Sequence, residues 1–76
     1  MVTLYDFNGM DERGQADAVF SEGVYMDDRE EGGLKAQLYR LGSFYVEVFY
    51  DPVENKISRL RSFKSSSQLA PYVKLI

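Results

Sequence analysis

The sequence predicts an α+β fold in one domain of 76 residues: an N-terminal helix, a four-stranded antiparallel meander and a short C-terminal helix, in the order α-β-β-β-β-α. Three observations lead there. Phe44, Val46 and Val48 alternate with Tyr45, Glu47 and Phe49, the period of two that marks a strand with two distinct faces. Turn residues stand at hairpin spacing, at Glu30-Glu31-Gly32-Gly33, at Gly42 and at Asp51-Pro52-Val53-Glu54-Asn55. A short apolar stripe of Ala16, Val19 and Phe20 at helical spacing precedes the first of these strands and ends at Gly23.

Taken in order, Asn8 is an N-cap candidate, with acids following in the first turn, and a helix can run over residues 9–22. Gly23 supplies its C-cap. Gly14 in its interior costs about 1 kcal/mol relative to Ala, so this helix depends on packing. Residues 24–28 read as the first strand, with the two glycines behind it available for positive φ. Residues 34–39 form the second, with Leu34, Ala36 and Leu38 on one side.

The length of the Gly42 turn is decided by pattern. A two-residue loop would set Leu38 beside Glu47 and Tyr39 beside Val46, mixing core with surface. A three-residue loop with Gly42 as a left-handed bulge keeps Leu34, Ala36 and Leu38 with Phe44, Val46 and Val48. It also sets Lys35 opposite Glu47, a favourable cross-strand pair. The expectation is therefore the odd loop. In the fourth strand, over residues 56–63, burying Arg59 and Arg61 unpaired would be costly, so Leu60 belongs to the core and the two arginines to the face of Glu47. Ile57 and Phe63 then join that face. Ser65-Ser66-Ser67 offers caps for a terminal helix, with Pro71 tolerated near its start, and Leu69, Tyr72, Val73 and Ile76 are apolar enough to pack on the sheet.

Composition excludes several chemistries. There is no Cys and no His, which removes disulfides, thiolate or imidazole metal sites, and Ser-His-Asp or Cys-His catalysis. A turn carrying Asp27, Asp28, Glu30 and Glu31 offers oxygen ligands but matches no EF-hand spacing, and a solvated acidic hairpin is the plainer reading. Ser65, Ser66 and Ser67 stand near no general base. Gly32-Gly33 lacks the Gly-Lys-Ser/Thr of a phosphate loop. The expectation is a non-enzyme with no cofactor and no metal. The start of the chain lacks a basic segment followed by an apolar one, and no apolar run approaches the ~20 residues that span a bilayer, so a soluble, cytoplasmic protein is expected.

The net charge of −3 hides an asymmetry: residues 1–34 hold nine acids and two bases, residues 35–76 seven bases and three acids. The halves can attract one another within the fold, or the basic half can await an anion or an acidic partner. The candidate functional surface is the second face of the sheet: Lys35, Tyr39, Tyr45, Glu47, Phe49, Ile57, Arg59, Arg61 and Phe63. It is too aromatic for idle solvent and too charged for an ordinary core. Three occupants are open: a segment of the chain itself, N-terminal or C-terminal; a second copy or another protein, since aromatic and Arg residues dominate interface hot spots; or an anion or stacked single-stranded nucleic acid, against which the acidic balance counts. The leading expectation is a small protein-interaction module, self-associating or binding a protein through this face. An acidic inhibitor of a bacterial enzyme, presenting residues 1–34, is a further alternative.

The run Phe44-Tyr45-Val46-Glu47-Val48-Phe49-Tyr50, followed by Arg59-Leu60-Arg61-Ser62-Phe63 and Leu69-Ala70-Pro71-Tyr72, resembles short bacterial proteins of unassigned function over most of residues 4–76. The resemblance implies a bacterial, cytoplasmic protein and carries no catalytic residues. A weaker likeness is to RelE-like toxins, small ribosome-dependent RNases whose sheets carry Arg, Lys and Tyr. The chain departs from them in being acidic and in lacking long paired N-terminal helices.

Overall fold

A computed structural model describes residues 2–72. The chain is α+β: helical segments lead into a four-stranded antiparallel sheet, and a short 3-10 turn comes after it. The N-terminal part is two helices rather than the single one expected over residues 9–22. The first, α1 (Leu4–Asn8), starts at a capping box in which the Asp6 amide donates to the Thr3 hydroxyl at 3.0 Å and the Thr3 amide to the Asp6 carboxylate at 3.4 Å. It stops at Gly9. The second, α2 (Glu12–Glu22), is capped by Asp11, whose carboxylate accepts from the Gly14 amide at 2.8 Å, so Asp11 and not Asn8 opens the long helix. The Gln15 side chain donates to the Phe7 carbonyl at 3.0 Å and ties the two together. Gly23 closes α2 as expected, its amide donating to the Val19 carbonyl at 2.8 Å.

The strands β1 (Val24–Glu31), β2 (Leu34–Leu41), β3 (Phe44–Asp51) and β4 (Lys56–Phe63) lie in the sheet in chain order, as the expected meander. β1 extends to Glu31 because its turn is tight. Gly32 and Gly33 alone connect Glu31 to its partner Leu34, with φ of +56° and +83°, the twist of the primed turns that suit hairpins. Asn55, at φ +57°, takes the left-handed position in the turn between β3 and β4.

The β2–β3 register corrects the expected loop. Leu41 pairs with Phe44, so the connection is the two residues Gly42-Ser43, with Gly42 at φ +62°. Leu38 therefore stands beside Glu47, Tyr39 beside Val46, and Lys35 beside Tyr50 rather than Glu47. The register that mixes core with surface is tolerated because both faces of the sheet are covered. Against one face lie α1 and α2, enclosing a core of Phe7, Ala18, Val19, Leu41, Phe44, Val46 and Val48, with Tyr39, Ile57 and Leu60 packed on it. Against the other lies the C-terminal segment. Its 3-10 turn (Ser66–Leu69), capped by Ser65, brings Leu69 and then Tyr72 onto Leu38 and Phe63, with Met26 and Tyr45 alongside. The expected packing of Leu69 and Tyr72 on the sheet holds; Val73 and Ile76 lie outside the described residues.

A second register effect moves Ile57. The β3–β4 ladder runs Val48 to Leu60 and Phe49 to Arg59, then jumps to Tyr50 and Ile57. The extra residue, Ser58, makes a β-bulge that returns Ile57 to the helix-covered face. Leu60 is in the core and Arg61 beside Glu47, as expected, but Ile57, Lys35 and Tyr39 belong to the face opposite the arginines.

Candidate functional site

Six of the nine expected residues share one face: Tyr45, Glu47 and Phe49 from β3, and Arg59, Arg61 and Phe63 from β4. Lys35, Tyr39 and Ile57 do not, for the register reasons above. The arrangement centres on Glu47, which is fully buried. Its neighbour Arg61 donates twice to Oε1, from Nε at 2.8 Å and from Nη2. Oε2 accepts from Arg29 Nη2 at 3.1 Å and from the Tyr72 hydroxyl at 2.7 Å. Arg29 arrives from β1, two strands away, and its register partner on the intervening strand is the small, buried Ala36.

The polar chain continues outward. Arg29 Nη1 donates to Glu31 Oε1 at 2.8 Å, and Arg59 Nη2 to Glu31 Oε2 at 3.3 Å. Aromatic rings floor it: Arg59 lies 3.9 Å above the Phe49 ring centroid, and Arg29 and Arg61 each lie 5.4 Å from theirs, Tyr72 and Phe63. Three guanidiniums and two carboxylates thus form one network stitched across β1, β3, β4 and the C-terminal segment. The sequence alone does not disclose Arg29 and Glu31 as members, nor that Tyr72, expected on the sheet, donates to Glu47. One signal is present: Arg29 is the lone cation inside the run Asp27-Asp28-Arg29-Glu30-Glu31.

Burial by itself would raise the Glu47 pKa. The hydrogen bonds from Tyr72, Arg61 and Arg29 outweigh it and hold the carboxyl below its ordinary range. Burial and the adjacent Glu47 carboxylate push the Tyr72 phenol well above its ordinary value. For Arg29, burial opposes the charged form, but Glu31 and Glu47 prevail and raise its pKa.

These directions fix the pH response. The depressed Glu47 pKa contributes stability that is present above the unfolded value of about 4.5 and is lost as pH falls through the folded value. The raised Tyr72 pKa contributes stability that is present below its unfolded value of about 10.0 and declines as pH rises beyond it. Urea midpoints from pH 3 to pH 11 are expected to form a plateau that falls on both sides. Tyr72→Phe should make the alkaline side shallower, the remainder being carried by Tyr25 and Tyr39, whose phenols are also raised, and leave an acid limb carried by Glu47. An alkaline limb as steep in Tyr72→Phe as in the unmodified chain would contradict the assignment.

Chemically, the acceptors at the centre are saturated: each oxygen of Glu47 has two donors, and Arg59 and Arg61 each hold a carboxylate, while the buried Arg29 Nε is left without a hydrogen-bond partner. Among the described residues no group of three or more acids is arranged to hold a metal ion. The acidic hairpin divides instead between the two sheet faces, with Asp28 and Glu30 on the helix side and Glu31 drawn into the arginine network. No helix among the described residues is long and apolar enough to cross a membrane.

A second surface lies at the seam of α2 and β1. Phe20, which the helical stripe assigns to the core, is 55% exposed and sets its ring edge-on to Tyr39 at 5.8 Å. Tyr25, 50% exposed, meets Tyr39 edge-on at 5.7 Å from the other side. Three rings thus stand in a row, continuing to Asp28, which accepts from the Tyr25 hydroxyl. That hydrogen bond is the main reason the Tyr25 pKa is pushed up to about 12. The row exists because the helices sit over the middle of the sheet and β4 and leave the β1 side of the same face uncovered.

No protein-family model, no curated protein and no solved structure matches the chain.

Proposed function

We propose that the protein is a small non-enzymatic interaction module that binds a protein partner, and that the contact is made at the α2–β1 seam. The exposed rings of Phe20 and Tyr25, set on either side of the half-buried Tyr39, carry this reading. Two rings that could have turned into a small core, Phe20 and Tyr25, stand about half in solvent, and clustered aromatics are the residues that dominate protein interfaces. The arginine face is the poorer candidate, since Leu69 and Tyr72 already occupy it and its guanidiniums are paired. The same pairing disfavours an anion or a single-stranded nucleic acid there, because bound phosphate would have to displace Glu31 or Glu47. A cytoplasmic setting belongs to this proposal, on a chain with no Cys to oxidise.

The test compares the unmodified chain with Phe20→Ser/Tyr25→Ser, a pair of changes at exposed positions that should leave the fold intact. Sedimentation at micromolar concentration and capture from bacterial lysate are read together. The expected result is an associated species or a retained protein that the double variant loses. A monomer whose captured proteins are the same with either bait would overturn the proposal.

A further inference from the structure

We infer that the strip formed by Phe20 of α2 and by Tyr25, Asp28 and Glu30 on the open edge of β1 receives an extended, basic segment of a partner protein, which adds to the sheet as a fifth strand. This rests on the interaction-module reading and names the partner's chemistry. β1 ends the sheet, so among the described residues its outer edge has no strand beside it; the Asp28 amide donates to the Asp27 carboxylate at 2.8 Å, a bond an added strand would displace. An edge of this kind is a template for an added strand. Beyond the bulge at Met26 the pairing is regular, and the stretch Asp28–Glu31 is long enough for a short ladder.

Charge selects what can dock. On the helix side of β1, Tyr25, Asp28 and Glu30 are all exposed, and the acids Asp17 and Glu22 of α2 are exposed nearby in sequence to Phe20. Lys35 on β2, paired with Glu30, is the base that borders them. Acids on an edge strand commonly guard against pairing with another copy of the same edge, and here they would do so: two β1 edges would set carboxylates against carboxylates. The same electrostatics that refuse a second β1 favour a strand carrying Lys or Arg. Side chains on a strand return to one face every second residue, so alternate basic residues would meet Glu30, Asp28 and the rings of Tyr25 and Phe20 in turn. Rings beside carboxylates accept a guanidinium by stacking and by ion pairing together. The acidic excess of residues 1–34 would steer such a partner toward this end of the molecule.

The probe is a capped, fluorescently labelled heptapeptide of alternating Arg and Val, read by anisotropy and by hydrogen exchange of the β1 amides. Two relatives accompany it: one with Pro at the central position, and one with Glu in place of Arg. The expected result is binding of the Arg-Val peptide with slowed exchange in β1, about tenfold weaker to Asp28→Asn/Glu30→Gln and several-fold weaker when salt is raised from roughly 50 to 300 mM. The Pro and Glu peptides should bind at least tenfold more weakly. Equal binding of the Pro peptide would mean charge attraction without a ladder, and would overturn the inference. So would no binding at 200 µM, or binding indifferent to the Asp28/Glu30 variant. Open-ended assembly of the chain on its own, with β4 of one copy on β1 of the next, would replace the foreign segment with a second copy and overturn it too. If lysate proteins are retained through Phe20 and Tyr25 but the Arg-Val peptide does not compete with them, the inference fails while the interaction module stands.

Discussion

Glu47→Gln is expected to cost the fold about 3 kcal/mol, at the low end of the range for removing one partner of a buried ion pair. The cost lies in the groups left behind. Gln keeps the shape but brings an amide donor against guanidinium donors, and it removes the charge that lies between Arg61 and Arg29. Arg29 is only 18% exposed in its side chain and cannot recover its hydration; Arg61, 40% exposed, recovers part, which sets the low end of the range. A domain of this size has a total stability of about 4–11 kcal/mol, so the loss is a large fraction of it. Urea unfolding should show it as a fall in midpoint at an unchanged slope. Replacing the whole cluster, Arg29→Met/Glu47→Leu/Arg61→Met, should restore most of the loss, because a packed apolar set substitutes for buried ions with little penalty. A loss under about 0.5 kcal/mol for Glu47→Gln would place Glu47 among ordinary exposed strand residues and contradict its burial.

How far the sequence discloses this site can be traced residue by residue. The cost of burying an unpaired arginine is enough to assign Leu60 to the core and Arg61 to the side of Glu47, because that rule is local to one strand. Gly32-Gly33 and the Asp51 to Asn55 turn declare their hairpins through backbone preference alone. The Gly42 turn does not, since pattern decides its length only on the premise that the sheet has one buried face. With Tyr72 and Leu69 on the second face, Leu38 can stand beside Glu47 without penalty, and the two-residue turn is the shorter solution. Alternation misplaces Ile57 because a bulge at Ser58 breaks it, and no residue there announces one. The Thr3–Asp6 capping box is legible in principle, but the longer helical pattern behind it dominates the N-terminal signal. Arg29 is 18 residues from Glu47 and Tyr72 is 25. Periodicity reports which face a residue takes, never which distant side chain it meets there.

Removing the C-terminal cover, with Leu69→Ala/Tyr72→Ala, is expected to have the largest effect of any change outside the helix-covered core. Leu69 and Tyr72 are only 5% and 2% exposed, so each truncation loses transfer free energy and leaves a cavity. Single changes of this kind cost about 2–5 kcal/mol, and Tyr72 also withdraws a hydrogen bond from a buried carboxylate. The two share one cluster, so the sum falls short of additive, at about 4–6 kcal/mol. That approaches the stability of the domain, and the variant is expected to be largely unfolded at 37 °C. Tyr72→Phe separates the hydroxyl from the ring and should cost about 1–2 kcal/mol, with the fold retained. At low temperature, where a folded fraction of the double variant persists, Leu38, Phe63 and Tyr45 lie open beside the charged Glu47 and its arginines. Concentration-dependent association, measured by sedimentation, should then appear in the double variant and be absent from Tyr72→Phe, because apolar area and not the lost hydrogen bond drives it. A double variant within about 1 kcal/mol of the unmodified chain and equally monomeric would mean that the terminal segment rests on the sheet without closing it. The aromatic and arginine face would then return as a surface for a partner.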